Sequence, residues 1–389
     1  MKATKTIVKA GVKAGVKAEQ GSGSGAPMHA PLRGPMQPSA TPSTAALSAT
    51  SSELVIAQRI PSPLYLASLS GSSACVKLLV EAGARVNACG EHGSTPLFAA
   101  AHNGHMGVVA LLIAAGAQLD AARTSDGVTP LIVAAQNGHD ACVKRLADAG
   151  VRLESAAYDG TTALIVTAQK GHIACMHYLL DAGADKAAAR MDGTTSLYMA
   201  SCFGHTTCVK ALLSAGAWPE ARVCLGGATS LFAAAQHGHL YAVEALIASG
   251  ADVTAVTVDG ATPLFAAAQN GHAACVKLLI GAGSNVNASL FGGATPLSIA
   301  RHHNHVECVV ALVDAGGMFE HGCNVLHWAA ANNSADIIKW YVNHVGVGVA
   351  VAVIDATSPA GYTPLQTASH LDHVDCVQAL IEAGANVNV

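Results

Sequence analysis

The chain has 389 residues, 51% of them apolar and 12% charged, with a formal net charge of −4. Residues 1–50 hold five Lys, one Arg and one Glu, so the remaining residues are acidic overall, which argues against a phosphate-binding surface. No run of 18 consecutive apolar residues occurs, so the sequence offers no transmembrane span.

In chain order, residues 1–52 come first as a low-complexity tail. Lys5, Lys9, Lys13 and Lys17 are four apart and would form one stripe of a helix. Gly11 and Gly15 weaken that helix by about 1 kcal/mol each relative to Ala. A Gly-Ser run from Gly21 and a Pro/Ser/Thr-rich stretch to Ser52 read as flexible linker, so a disordered tail is expected. The alternative is an organelle transit peptide, since the segment is basic and nearly free of acids. It is Lys-rich where such peptides favour Arg.

From residue 53 onward one unit recurs, clearest from Asp259 to Asn287. Thr262 is a good N-cap, and Pro263 suits the first helical position. Leu264, Ala267 and Ala268 share one face at i, i+3 and i+4. Asn270-Gly271 ends this helix, because Gly tolerates the left-handed cap. A second helix begins near His272, repeats the apolar spacing at Cys275, Leu278 and Leu279, and ends at Gly283. Helices of two or three turns are marginal alone, so the unit must stack on copies of itself.

The copies are present. Thr95, Thr129, Thr162, Thr195, Thr229, Thr262 and Thr295 fall 33 or 34 residues apart, and so do the Gly-His pairs from His105 to His272. TPLFAAAHNGH at Thr95 to His105 and TPLIVAAQNGH at Thr129 to His139 show the same core. A period of 33 with this internal order resembles the ankyrin repeat, a turn followed by two antiparallel helices. The resemblance implies an all-α solenoid of about ten helix-turn-helix units with β-turn fingers. Repeats one to eight are expected over 53–320. Two divergent repeats follow over 321–389, with an apolar insert at 345–354. Repeat one has Ser72 in the His place and is expected to cap the stack. The family's usual His after Pro-Leu survives only as His327. Phe98, Ile132, Tyr198 and Phe265 stand there elsewhere.

Of 11 Cys, seven form a ladder at the first apolar position of the second helix: Cys75, Cys142, Cys175, Cys208, Cys275, Cys308 and Cys376. Stacked helices lie roughly 8–10 Å apart, whereas a disulfide needs Cα atoms within about 4.4–6.8 Å. The rungs are therefore expected to be buried, reduced thiols of an intracellular protein, cytoplasmic or nuclear. The Gly-His histidines are too far apart to share a metal, and a hydrogen-bonded side chain is the expected role. His302 and His305 lack a third ligand, so no metal and no cofactor are expected.

Catalytic signatures are missing from the sequence: it has no P-loop, G-x-S-x-G, H-E-x-x-H or C-x-x-C. What remains is an extended surface. By resemblance, turn tips and the edge of the first helix bind a partner protein on a concave face. The candidate contacts are Tyr158, Met191, Leu225 and Phe291 at tips, with Phe203 and His237 on the edge. A non-catalytic scaffold or adaptor is expected, with no nucleic-acid and no membrane partner. The alternatives are a regulatory subunit that inhibits an enzyme or recruits its substrate, and a structural, self-associating spacer. Repeat ten carries Cys376, Val377, Leu380 and Ile381 on its last helix, so this end is expected to self-associate or to dock on another segment. Trp218 is expected to pack over a neighbouring loop.

Overall fold

The computed structural model describes residues 61–224, 226–318, 324–345 and 353–389, all within one unit spanning 51–389. The tail expected over 1–52, most of the insert at 345–354, Leu225 and Cys323 lie outside the described residues. Ten helix pairs run through the described part. They begin with α1 (Pro63–Leu69) and α2 (Ser73–Glu81), then α3 (Pro96–His102) and α4 (Met106–Ala114), then α5 (Pro130–Gln136) and α6 (Asp140–Asp148). Next come α7 (Ala163–Lys170) and α8 (Ile173–Asp181), α9 (Ser196–Cys202) and α10 (Thr206–Ser214), and α11 (Ser230–Gln236) and α12 (Leu240–Ala248). The last four pairs are α13 (Pro263–Gln269) and α14 (Ala273–Gly281), α15 (Pro296–His302) and α16 (Val306–Asp314), α17 (Val325–Ala331) and α18 (Ala335–Val345), and α19 (Pro364–His370) and α20 (Val374–Glu382).

Local chemistry explains each pair. Thr95, Thr129, Thr162, Thr195, Thr229, Thr262 and Thr295 all cap a first helix, each hydroxyl accepting a backbone N–H three residues on. Asn324 does the same for α17. A left-handed glycine such as Gly204, with φ 72°, turns the chain into the second helix. Leu97, Leu131, Leu164, Leu197, Leu231 and Leu264 form the continuous floor of the core.

First helices pack on first helices and second on second along the stack. At the joint between repeats eight and nine the helices approach less closely. There Trp328, itself buried, fills a place that Ala or Val holds in several other repeats. The core is nevertheless continuous across this joint, with Val309 and Ile337 buried on its two sides.

Six rungs of the cysteine ladder are buried, and burial pushes the thiols of Cys142, Cys175, Cys275 and Cys308 up to about 11. Cys75 departs from expectation and is exposed. In repeat ten the rung faces the preceding repeat: the Cys376 thiol lies 3.7 Å from the Ala329 carbonyl. Repeat one has no described helix pair before it to cover Cys75.

Candidate protein-docking face

Two rows of exposed side chains run along the stack. The first is the fingertip row, tied together by backbone bonds between successive turns. Thr124 N–H donates to the His92 carbonyl at 2.9 Å, Tyr158 to Asp126 at 2.9 Å, and Met191 to Asp159 at 3.1 Å. Cys224 then donates to Asp192 at 2.7 Å, Val258 to Gly226 at 3.0 Å, and Phe291 to Asp259 at 3.2 Å. Each tip thus fixes the next, and the side chains on them are presented by a hydrogen-bonded scaffold.

Leu225, expected at the tip of repeat six, lies outside the described residues; next to it in the chain, the Cys224 N–H meets the preceding turn. Repeats three and six carry one extra residue in the turn, and their closing bonds span it: Arg123 N–H reaches Val128, and Val223 N–H reaches Ala228. In the shorter turn of repeat four, Ala157 N–H reaches Thr161.

Tyr158, Met191, Val258 and Phe291 are 61 to 84% exposed. Tyr158 leans on its neighbour without being buried by it. Its ring lies over Gly127, where an added Cβ would fall 2.6 Å from Cδ1, and its hydroxyl donates to the Thr124 carbonyl at 3.3 Å. The charges around these tips are engaged. Arg123 pairs with Asp126, and Arg190 reaches back to Asp159 of the preceding turn. Asp192 accepts from Thr194 N–H at 2.9 Å. The Arg123 bond, against the opposing effect of burial, holds Asp126 below the usual carboxylate range. The tips therefore form an apolar row flanked by paired charges.

The second row is the C-terminal edge of the first helices. Asn103, Asn137, Lys170, Phe203, His237, Asn270 and His303 occupy equivalent places and are all exposed. Phe203 is the large apolar member, 49% exposed, with its ring stacked on His205 at 6.4 Å. A seven-residue helix at 1.5 Å per residue puts this row about 10 Å from the tips. Met191 lies in the turn before α9 and Phe203 just after its last residue. Burial, with His239 and His272 close by, holds His237 below the ordinary histidine range. It faces solvent uncharged at neutral pH.

The Gly-His histidines sit behind this edge, and each bonds the repeat before it. From His105 to His305, Nε2 lies 3.0 to 3.2 Å from a carbonyl 36 or 37 residues earlier. A carbonyl only accepts, so Nε2 carries the proton. The expected hydrogen-bonded role holds, with the partner in the neighbouring repeat. Trp218 departs from expectation and stands largely exposed. Elsewhere a loop acceptor holds the next loop, as Asn87 holds the Gln118 N–H and Glu220 the Asp252 N–H. The place of Trp218 is exposed even where that bond is made: Met318, whose N–H Asn287 holds, is 70% exposed.

Among the described residues no group of three or more His, Cys, Asp and Glu could hold a metal, and no helix is long and apolar enough to cross a membrane. Stacked helix pairs with hydrogen-bonded turn fingers define an α-solenoid repeat protein whose exposed rows are suited to binding. The family model for ankyrin repeats, written as three copies, matches residues 53–123, 120–190, 141–223, 186–257, 231–319 and 318–389. The chain belongs to the ankyrin-repeat family. No curated protein matches it. Ankyrin repeats are in general protein–protein interaction modules, and proteins built from them are typically non-catalytic scaffolds.

Proposed function

We propose that this protein is an adaptor that holds a partner protein along the tips and first-helix edge of repeats four to eight. The observation that carries this reading is the run of exposed large apolar side chains at Tyr158, Met191, Val258 and Phe291 on tips linked by backbone bonds. Soluble proteins rarely leave a contiguous apolar patch uncovered without a use for it. Phe203 supports the same reading. Asn, Lys or His fills its place in the flanking repeats, so folding does not call for an aromatic there. His237 and the turn that carries Leu225 complete the proposed face. The partner's contacting segment is apolar and weakly charged, since the face itself offers Lys170 as its permanent charge on the edge. The acidic balance of residues 51–389 supports a protein partner over a nucleic acid. The buried thiols, poorly ionised at neutral pH, suit a reducing, intracellular setting.

The test begins with affinity purification and mass spectrometry on residues 1–389. Phe203→Ala and Phe291→Ala should each leave the melting temperature nearly unchanged and weaken the recovered partner by about 1–2 kcal/mol or more. Binding that survives both substitutions places the partner elsewhere on the stack. Unfolding by Phe203→Ala makes that residue part of the core.

A further inference from the structure

The first and the last described repeat each leave apolar side chains of a helix face exposed. In repeats two to seven the place of Leu66 is 0 to 8% exposed, and the ladder residue equivalent to Cys75 is buried. In repeat one Leu66 is 50% exposed, Leu78 is 66% exposed, and Cys75 is exposed with them. These residues therefore belong to the face that a repeat turns toward its predecessor. At the other end, Val377 is half-buried where its equivalents Val143, Val209, Val276 and Val309 are fully buried. Val374 and Ile381 beside it are 68% and 45% exposed. They belong to the face that a repeat turns toward its successor. Of the other two residues named on this helix, Leu380 is buried, and Cys376 is buried against repeat nine as its place in the ladder predicts.

A second feature matches the two ends more closely than shared apolarity. From repeat one to repeat seven, the glycine between the helices lies under the next repeat's histidine ring. A Cβ on it would fall 2.4 to 2.8 Å from that ring. A residue other than glycine can stand there only if the ring above is removed or displaced. The joint between repeats eight and nine follows this rule: Asn304, at φ 57°, stands in the glycine place, and Ser334 stands in the histidine place above it. Repeat ten has Asp372, at φ 58°, in the glycine place. Repeat one has Ser72 in the histidine place. Asp372 and Ser72 thus stand in the two places that Asn304 and Ser334 hold, one in repeat ten and the other in repeat one. The loop ladder extends likewise. Asn388 occupies the place from which Asn87 holds the next loop, and it is exposed.

We propose that copies of this chain associate head to tail, repeat ten of one copy seating on repeat one of the next. Val374, Val377 and Ile381 cover Leu66, Cys75 and Leu78, and Asp372 lies beneath Ser72. A heterologous contact of this kind leaves one half of the interface open at each end of every oligomer. Chains therefore lengthen with concentration. This surface is distinct from the docking face above.

The test uses the full chain and two variants, Leu66→Glu and Ile381→Glu, each at an exposed position. Light scattering after size exclusion should show the wild-type mass rising with concentration. Each variant alone should stay monomeric, its association weakened by about tenfold or more, because a carboxylate would be buried without a partner. An equimolar mixture of the two variants should form a 1:1 dimer and nothing larger, since each supplies the half that the other lacks. Circular dichroism checks that both fold. Val374→Glu repeats the test on the same face should Ile381→Glu unfold, and Leu78→Glu does so should Leu66→Glu unfold. A wild-type mass independent of concentration overturns the proposal, as does a mixture that stays monomeric. Loss of association in Ile381→Glu with none in Leu66→Glu also overturns it, because that pattern means symmetric pairing of two C-terminal faces.

Discussion

The joint between repeats five and six and the joint between repeats eight and nine close the same turn with different residues. In the first, Gly204 has φ 72° and the His239 ring lies over it, with Nε2 3.0 Å from the Cys202 carbonyl. In the second, Asn304 has φ 57°, Ser334 replaces the histidine, and the helix pairs approach less closely. The joint between repeats nine and ten lies between these cases. Asn333 has φ 53°, and the His373 ring turns to reach the Ala330 carbonyl through Nδ1 at 2.8 Å. Ala330 is one residue short of the carbonyl position used elsewhere. The glycine therefore answers two demands at once, a left-handed backbone and room for the next repeat's ring. Asn meets the first and fails the second.

The most damaging way to break this comparison is Gly204→Ala. The left-handed backbone costs about 1–2 kcal/mol for a residue with a Cβ, and displacing the His239 bond adds about 1 kcal/mol. A total loss of about 2–3 kcal/mol in urea unfolding is expected. In a His239→Ser background the same substitution should cost only the backbone part, about 1–2 kcal/mol. Additivity of the two changes would separate the glycine from the ring.

A smaller effect concerns pH and sharpens the contrast between the central and C-terminal repeats. His327 stands where Phe98 and Phe265 stand elsewhere, and it is buried. Its Nε2 lies 3.1 Å from the Tyr362 carbonyl, and Asn324 shares its Nδ1 side. Burial lowers its pKa, opposed in part by bonds to the Tyr362 and Ala356 backbone. The unfolded chain then takes up a proton at about pH 6.5 while the folded ring stays neutral. Stability is complete above that pH and falls as pH drops toward the folded value. Amide exchange in α17 to α20 should accelerate below about pH 6.5, and His327→Phe should remove the His327 part of that response. Equal pH dependence in the two proteins would rule this out.

The smallest change should come from Asn304→Gly. With Ser334 above it there is no ring to clear, and Asn already tolerates the left-handed region. Stability should move by less than about 0.5 kcal/mol. A loss near that of Gly204→Ala would mean the two joints obey different rules.

The sequence is legible wherever the cause of a structure is local. Thr95 and its equivalents announce N-caps, Gly271 and Gly283 announce helix ends, and the spacing of Cys275 and Leu279 announces a buried face. Part of the candidate face was legible as well, because exposure at Tyr158, Met191, Phe203 and Phe291 follows from their places in the repeat. What the sequence did not show is which N–H of the longer turn in repeat six reaches back to the Asp192 carbonyl; it is that of Cys224.

By itself, then, the sequence determined the repeating unit, its two helices, their caps and the need to stack, because these rest on propensities and periodicities within about 33 residues. Tertiary structure alone decided which carbonyl each histidine reaches, why Gly204 admits no Cβ, and why Cys75 is exposed while Cys142 is not. The physical reason is that these properties belong to the contact between two repeats. A residue's burial and bonding there depend on what the neighbouring repeat places against it, and no single unit encodes that.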